Sequence, residues 1–430
     1  MGFIKKILYK RAAFLVSLYH LLWAFWGALK NDFPAFGMTV VGITGTKGKT
    51  SSSNYLWHIL SFAGYKTALI TTVNFRIGEK EKVNPSKQTM LGRGGAQKII
   101  AQAKKEGCSH LIVETSSEGI LQHRHKFLNY KLAALTNLTP EHIERHGSFD
   151  NYKKAKRVLF EEISKNNNGI AVVNADDPSA QYFLEVPVSR RVSFGSKNSG
   201  ISGVEHIPFA IKSIDADKTV FVLNGTEMEI PFAGEFFAYN AALASVCAWS
   251  LGVPWEKIAQ ALLSIPQVSG RFQIINEGQD YLAVVDYAHE PASLRSLYEA
   301  VNIRKPKRII GLLGAQGGGR DKWKQMEMGK IAANYCAEVF LTNEDPYDDD
   351  PLEIMAGVEE GLFSAGFSPE KIHKIIDRRE AIRGAINMAQ PQDAIVFSGK
   401  GGEVWMCISG GQKIPWNEAE EVRGAIRARN

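Results

Sequence analysis

Gly42-Ile43-Thr44-Gly45-Thr46-Lys47-Gly48-Lys49-Thr50-Ser51 is the stretch on which the rest of the chain is read. The β-branched run at 39–44 predicts a strand and 50–62 predicts a helix, so the glycines fall at a strand-to-helix turn. Glycine there lets backbone N–H groups close around phosphate oxygens, and the helix N-terminus adds a favourable field. In that setting Lys49 bridges phosphates and the Thr50 hydroxyl becomes a magnesium ligand, with Gly45, Thr46, Lys47, Gly48 and Ser51 completing an ATP or GTP cradle. A glycine-rich turn with a stray lysine is the plain alternative, and the coincidence of strand, glycines, Gly-Lys-Thr and helix weighs against it. The glycines at 42, 45 and 48 depart from the general GxxxxGK[ST] spacing.

Outward from this turn the alternation continues. Residues 111–114 read as a strand, 152–163 as a helix rich in Lys and Arg, and 170–174 as another strand, which predicts a parallel sheet. Between about 195 and 232 the pattern changes to short β-rich pieces, 219–223 and 228–232, joined by Asn224-Gly225, a good hairpin turn. The helix at 238–251 returns to the main body, Pro266 and Gly270 punctuate the chain, and a fresh series of strands begins at 281–285. It continues through 308–313, 338–341 and 394–398, each ending in polar or glycine-containing residues, as ligand-bearing strand ends do in doubly wound sheets. The expected class is α/β: an N-terminal helical segment 1–37, a P-loop parallel-sheet domain 38–268 with a small antiparallel annex, and a Rossmann-like domain 269–430. Two principal domains also suit 430 residues, because single cores stop growing near about 250–300.

Composition narrows the partners. A charged fraction of 22% against 45% hydrophobic describes folded protein rather than disorder. The net charge of +6 is spread among 45 acidic residues without a basic, aromatic-laced run, which excludes a nucleic-acid groove and suits phosphate-bearing small molecules. Cys108, Cys247, Cys336 and Cys407 form no CxxC pair and read as reduced cytosolic thiols. At the N-terminus, Lys5, Lys6, Lys10 and Arg11 precede an uncharged run, 12–29, holding Tyr19, Trp23 and Trp26. It is marginal for a span of about 20 apolar residues and fits an interfacial helix as well as one packed on its own protein; both readings stay open. No small-residue cleavage site marks a signal peptide.

Two further strings share a sign of metal-assisted phosphoryl transfer, which needs cations where carboxylate and phosphate meet. Val113-Glu114-Thr115-Ser116-Ser117 ends a strand, and Thr136-Asn137-Leu138-Thr139-Pro140-Glu141-His142 follows. Singly, Glu114 is an ordinary strand-end carboxylate and His142 an ordinary loop histidine. With the glycine-rich turn they resemble the Mur ligase family, as do Asn240, Gly270-Arg271 and Asp286-Tyr287-Ala288-His289. The resemblance covers about residues 38–430. It implies an ATP-dependent amide ligase in the cytoplasm, commonly monomeric, with magnesium held by Thr50, Glu114 and His142. It also implies carbon dioxide bound as a carbamate on Lys156, within Tyr152-Lys153-Lys154-Ala155-Lys156. It further implies Asn240 at the adenine, Asp286 at the ribose, and Arg271 and His289 among the catalytic residues beside Lys49, with domain closure over ATP. Glu141 stands where the family usually has Asp.

Within the family the chain resembles the branch that adds the third residue of the bacterial cell-wall peptide. Ser116 and Gln122-His123-Arg124 resemble its acceptor contacts, Gly319-Arg320-Asp321-Lys322 its loop for the incoming amino acid's carboxylate, Asp377-Arg378-Arg379-Glu380 a further signature, and Gly399-Lys400-Gly401-Gly402-Glu403 its Gly-Lys-Gly-His-Glu. Where the diaminopimelate enzymes carry Asp-Asn-Pro-Arg, this chain has Glu344-Asp345-Pro346-Tyr347, so the arginine that grips a distal carboxylate is replaced and the amino acid is left open. The family's uridine-nucleotide domain precedes the phosphate loop, and about forty residues do so here; either the nucleotide is held by the remaining domains or a partner, or the acceptor is a lipid-linked one reached through the Trp-rich helix. The implied substrates are a nucleotide-sugar peptide and an amino acid. The alternatives are a family member with a pseudomurein-like or polyglutamate-type acceptor, and a membrane-associated ATP-binding scaffold without catalysis.

Overall fold

A computed structural model describes residues 13–140, 146–319 and 322–429. His142 and Arg320 lie outside the described residues. The chain divides into two compact units, one running to Ile214 with Lys218–Pro266, the other comprising Asp215–Asp217 with Gln267–Asn430.

In the first unit the strands are β1 (Thr39–Thr44), β2 (Thr67–Ile70), β3 (Asn74–Ile77), β4 (Lys80–Val83), β5 (His110–Glu114), β6 (Tyr130–Leu135), β7 (Ile170–Asn174), β8 (Arg190–Gly195), β9 (Val204–Ile214), β10 (Thr219–Leu223) and β11 (Thr226–Ile230). Among the described residues they form one sheet in the order β11-β10-β9-β8-β7-β6-β1-β5-β2-β3-β4. Pairing is parallel from β9 across to β2 and antiparallel at both edges. The antiparallel annex is therefore continuous with the main sheet: β9 pairs in parallel with β8 and turns the sheet over to β10 and β11. Central strands such as β5 and β7 are buried along their whole length, as parallel sheets covered by helices on both faces require. The β1 strand lies between β5 and β6, so its C-terminal end opens in the middle of the sheet.

Three helices frame that opening. Lys49–Phe62 leaves directly from the glycine turn and packs against Glu235–Ser250. Phe149–Ser164 starts at Ser148, whose side chain accepts from the Asn151 N–H, and buries Tyr152, Lys156 and Leu159.

The second unit holds β12 (Gln273–Ile275), β13 (Leu282–Val285), β14 (Ile309–Leu313), β15 (Glu338–Leu341), β16 (Ile372–Lys374) and β17 (Ala394–Phe397), ordered β12-β13-β17-β14-β15-β16. All pairs but β12–β13 are parallel, over a core that includes Leu312, Phe340, Ile382 and Phe397. The four cysteines are buried and form no disulfide. No helix among the described residues is long and apolar enough to cross a membrane.

Candidate functional site

The glycine turn closes against the segment after β6. Thr46 N–H donates to Asn137 O at 2.8 Å, Lys47 N–H to Asn137 Oδ1 at 2.9 Å, and Thr136 Oγ1 to Lys47 O at 2.6 Å. Two positions tolerate only glycine. A Cβ at Gly45 (φ 144°) would lie 1.9 Å from Thr136 Oγ1, and one at Gly48 (φ 80°) 2.1 Å from Asn240 Oδ1. Asn240 is buried, and its Oδ1 accepts from Ser52 Oγ at 3.3 Å, so the amide packs against the turn rather than on a free helix surface. Thr46 Oγ1 lies 3.2 Å from Tyr152 Oη, and the Ser51 side chain is buried in the first turn of the helix.

Three predicted residues converge on this turn. Thr50 Oγ1 donates to Glu114 Oε2 at 3.0 Å, and Lys156 Nζ donates to Gly45 O at 2.7 Å while lying 4.4 Å above the Tyr152 ring. Glu114 and Lys156 are both buried. Lys49 Nζ is folded back on the carbonyls of Gly45 and Thr46, at 3.1 and 2.8 Å. Sequence reasoning missed Thr72, whose N–H and Oγ1 donate to Glu114 at 2.9 and 3.1 Å, with Thr89 bonded to its hydroxyl at 2.9 Å. Thr72 reaches Glu114 because β2 pairs with β5, a tertiary fact that no local pattern announces. Among the described residues no group of three or more His, Cys, Asp and Glu side chains is placed to hold a metal. The Thr50 hydroxyl and Glu114 carboxylate are hard oxygen donors of the kind magnesium takes alongside waters and phosphate oxygens, so this pair suits that ion.

The acceptor residues expected from the sequence sit on the turn after β5. Ser116 caps the short helix Ser117–Leu121, its Oγ accepting from Gly119 N–H at 3.1 Å. Arg124 donates to Met90 O and, at 3.2 Å, to Gln88 Oε1; Gln122 Nε2 lies 3.4 Å from Glu118.

In the second unit, Asp286 accepts from Phe272 N–H at 2.6 Å and Ala288 N–H at 2.7 Å, which fixes it at the end of β13. The Arg271 guanidinium lies 4.6 Å from the Tyr287 ring centre, Tyr287 Oη donates to Glu403 Oε1 at 3.3 Å, and His289 Nδ1 is 2.8 Å from Tyr287 O. Past β15 and β17, Lys400 Nζ donates to Asp345 Oδ1 at 2.9 Å, Glu403 Oε2 at 2.6 Å and Trp405 O at 2.8 Å. Tyr347, with φ 53°, donates its N–H to Cys407 O at 3.2 Å and sets its ring against Gly318.

Glu344 differs from all of these. It is 1% exposed, and neither carboxylate oxygen has a hydrogen-bond partner. A Cβ at Gly399 (φ 102°) would lie 2.2 Å from its Oε2, so only glycine leaves the carboxylate room. Burial pushes its pKa up to about 7, against the pull of Arg378 and Lys400 and with the push of Asp345 and Glu403. Arg378, part of a string read as a family signature, is a buried clamp: it pairs with Glu418 at 2.6 Å and donates to Asn343 O at 3.0 Å and Ser398 O at 2.7 Å. The Glu418 partner, forty residues on, gave no signal in the sequence.

Residues 43–248 match the Mur ligase middle domain, and residues 270–401 the Mur ligase, glutamate ligase domain. The UDP-N-acetylmuramoyl-L-alanyl-D-glutamate–2,6-diaminopimelate ligase of Bacillus licheniformis is 32% identical over 397 residues, covering 91% of this chain and 79% of that protein. A UDP-N-acetylmuramyl-tripeptide synthetase of Roseiflexus sp. is 32% identical over 424 residues, 96% of this chain and 82% of its own length. A solved structure of a UDP-N-acetylmuramoyl-L-alanyl-D-glutamate–2,6-diaminopimelate ligase superposes with a TM-score of 0.61 at 26% identity, over 91% of this chain and 79% of the other.

Proposed function

The chain belongs to the Mur ligase family of ATP-dependent, ADP-forming amide ligases, and we propose that it adds a diamino acid to a muramoyl-dipeptide-type acceptor in cell-wall peptide synthesis. The observation that carries this reading is the convergence of Thr50, Glu114 and Lys156 on one glycine turn. An acceptor carboxylate oxygen attacks the γ-phosphorus and ADP departs, leaving an acyl phosphate. The amine nitrogen then attacks the acyl carbon, phosphate leaves, and the nitrogen gives up a proton to form the amide.

Each residue has a part in this. Lys49 swings from the Gly45 and Thr46 carbonyls onto phosphate oxygens, and Arg271 offsets charge as the phosphoryl group transfers. Thr50 and Glu114 would hold magnesium, together with Lys156 as a carbon-dioxide-derived carbamate, and the ion would supply charge neutralisation for the phosphate and carboxylate oxygens. His142 joins that set, and Arg320 the amino acid's carboxylate, on the sequence resemblance. Asn240 supports the nucleotide side of the turn, Asp286 takes the ribose, and His289 lines the same strand end. Ser116, Gln122 and Arg124 receive the acceptor. Glu344, with Asp345, Glu403, Gly399 and Tyr347, receives the amino acid's distal group. A buried carboxylate without a partner calls for a cation, so the incoming residue carries an ω-ammonium, as lysine does. The reaction belongs in the cytoplasm, with the enzyme a monomer touching the inner face of the membrane through 12–29.

The test is phosphate release with a muramoyl-dipeptide uridine nucleotide and a panel of lysine, ornithine, meso-diaminopimelate and glutamate. Turnover with the ω-amines is expected. Silence with every amino acid would leave an ATP-binding scaffold as the better account, and preference for glutamate, which has no distal ammonium, would refute the ammonium pocket.

A further inference from the structure

The helix Ala13–Lys30 carries its side chains in the reverse of the usual order for a helix on a water-exposed surface. Toward the protein it presents Ser17, Gly27 and Ala28, with the Phe25 ring against Phe127. Ser17 Oγ lies 2.7 Å from His123 Nε2, and Gly27 approaches so closely that a Cβ there would lie 2.6 Å from Gly94 Cα. Away from the protein it presents Leu15, Leu18, Leu22, Trp23, Trp26 and Leu29, with Leu15 65%, Leu22 57% and Trp26 56% exposed. Positions 15, 18, 22, 26 and 29 share one helix face, so the exposed apolar surface is a continuous stripe rather than scattered side chains.

Charge selects the occupant. Lys5, Lys6, Lys10 and Arg11 precede the helix, Lys30 closes it, and the first acidic residue of the chain is Asp32. A second copy docked on this stripe would bring two such basic segments together, whereas an anionic lipid surface complements them. Trp and Leu on one side with Lys and Arg at the ends is the composition of a helix lying in the headgroup region, and among the described residues no helix is long and apolar enough to cross.

We propose that Ala13–Lys30 lies flat in an anionic bilayer surface with its Leu–Trp stripe immersed, and that the Ser17–His123 contact thereby seats the turn bearing Gln122 and Arg124 at that surface. The second half rests on the ligase reading only in calling that turn the acceptor's. The seat itself is a contact within one compact unit: Phe25 also packs edge-on against Phe127, with ring centres 5.6 Å apart. An acceptor would then be met at the membrane, where a lipid-linked one resides.

The experiment uses the full chain with phosphatidylcholine vesicles, with and without phosphatidylglycerol. The protein should sediment with the anionic vesicles and not the neutral ones, and binding should weaken by at least about tenfold at high salt. The double variant Leu22→Glu/Trp26→Glu changes exposed side chains only, so its fold, checked by circular dichroism, should be intact and its binding lower by about tenfold or more. Amide exchange over residues 119–128 should slow when anionic vesicles are added to the wild type and not to the variant. Wild type left in the supernatant, a variant that sediments equally, a lipid-free dimer lost in the variant, or resistance to alkaline carbonate extraction would each overturn the docking. Unchanged exchange over 119–128 would overturn the seating of the turn. Failure of amide synthesis with every substrate would count against the ligase reading and leave the sedimentation result standing.

Discussion

The glycine turn of the first unit and the strand ends of the second solve opposite problems. Around the turn the chain satisfies its own charges: Glu114 is held by Thr50 and Thr72, Lys156 by the Gly45 carbonyl, and Lys49 by the carbonyls of Gly45 and Thr46. At the strand ends, Lys400 is held threefold while Glu344, the next residue to Asp345, is buried with nothing to bond. Within the same unit Arg378 shows that the fold can satisfy a buried charge, since Glu418 and two carbonyls enclose it. A buried carboxylate left without a hydrogen-bond partner is, on the proposed reading, where a ligand rather than the protein supplies the cation. On the proposed reading, the phosphate side is organised before substrate arrives and the amino-acid side is left incomplete.

The sharpest way to test this contrast is to unsatisfy what is satisfied. Arg378→Ala strands Glu418 and should cost about 3–5 kcal/mol of stability in urea unfolding, whereas replacing both partners with apolar residues should recover much of it. Next, Lys156→Ala should lower phosphate release by about a hundredfold, the scale of losing support to a metal site, and short carboxylic acids should partly restore it. Full activity in the variant would refute the carbamate.

Glu344→Gln probes the incomplete side and should raise KM for the amino acid by about tenfold or more while leaving KM for ATP unchanged. The same substitution has a pH signature. A carboxyl raised from 4.5 to about 7 favours the folded state most when protonated, so the ligand-free wild type should lose stability as pH rises from about 5 through 7. The fully charged state costs on the order of 3 kcal/mol, and the glutamine variant should lack that slope in thermal melts at pH 5 and pH 8. The smallest effect is expected of Asn240→Ala, about a fivefold rise in KM for ATP, because one buried hydrogen bond beside Gly48 is lost.

Much of this was legible in the chain. The glycines at 45 and 48, the lysine and threonine after them, and the alternation of β-branched runs with helices are local signals, because phosphate binding and sheet pairing need those residue types at fixed spacing. The strands at 170–174, 219–223 and 338–341 coincide with those found. Thr72, the Arg378–Glu418 clamp and the continuity of the antiparallel strands with the main sheet were not legible, since each depends on segments that meet only through strand order. Nor does any pattern distinguish Glu344, which lacks a partner, from Asp345, which has one.

By itself the sequence determined the class of fold, the phosphate turn and the family chemistry, all of which rest on near neighbours along the chain. Only the tertiary structure decided which charges are compensated and which face of the N-terminal helix is left to the outside. Burial and hydrogen bonding are properties of what surrounds a group, and those surroundings are assembled from residues far apart in sequence.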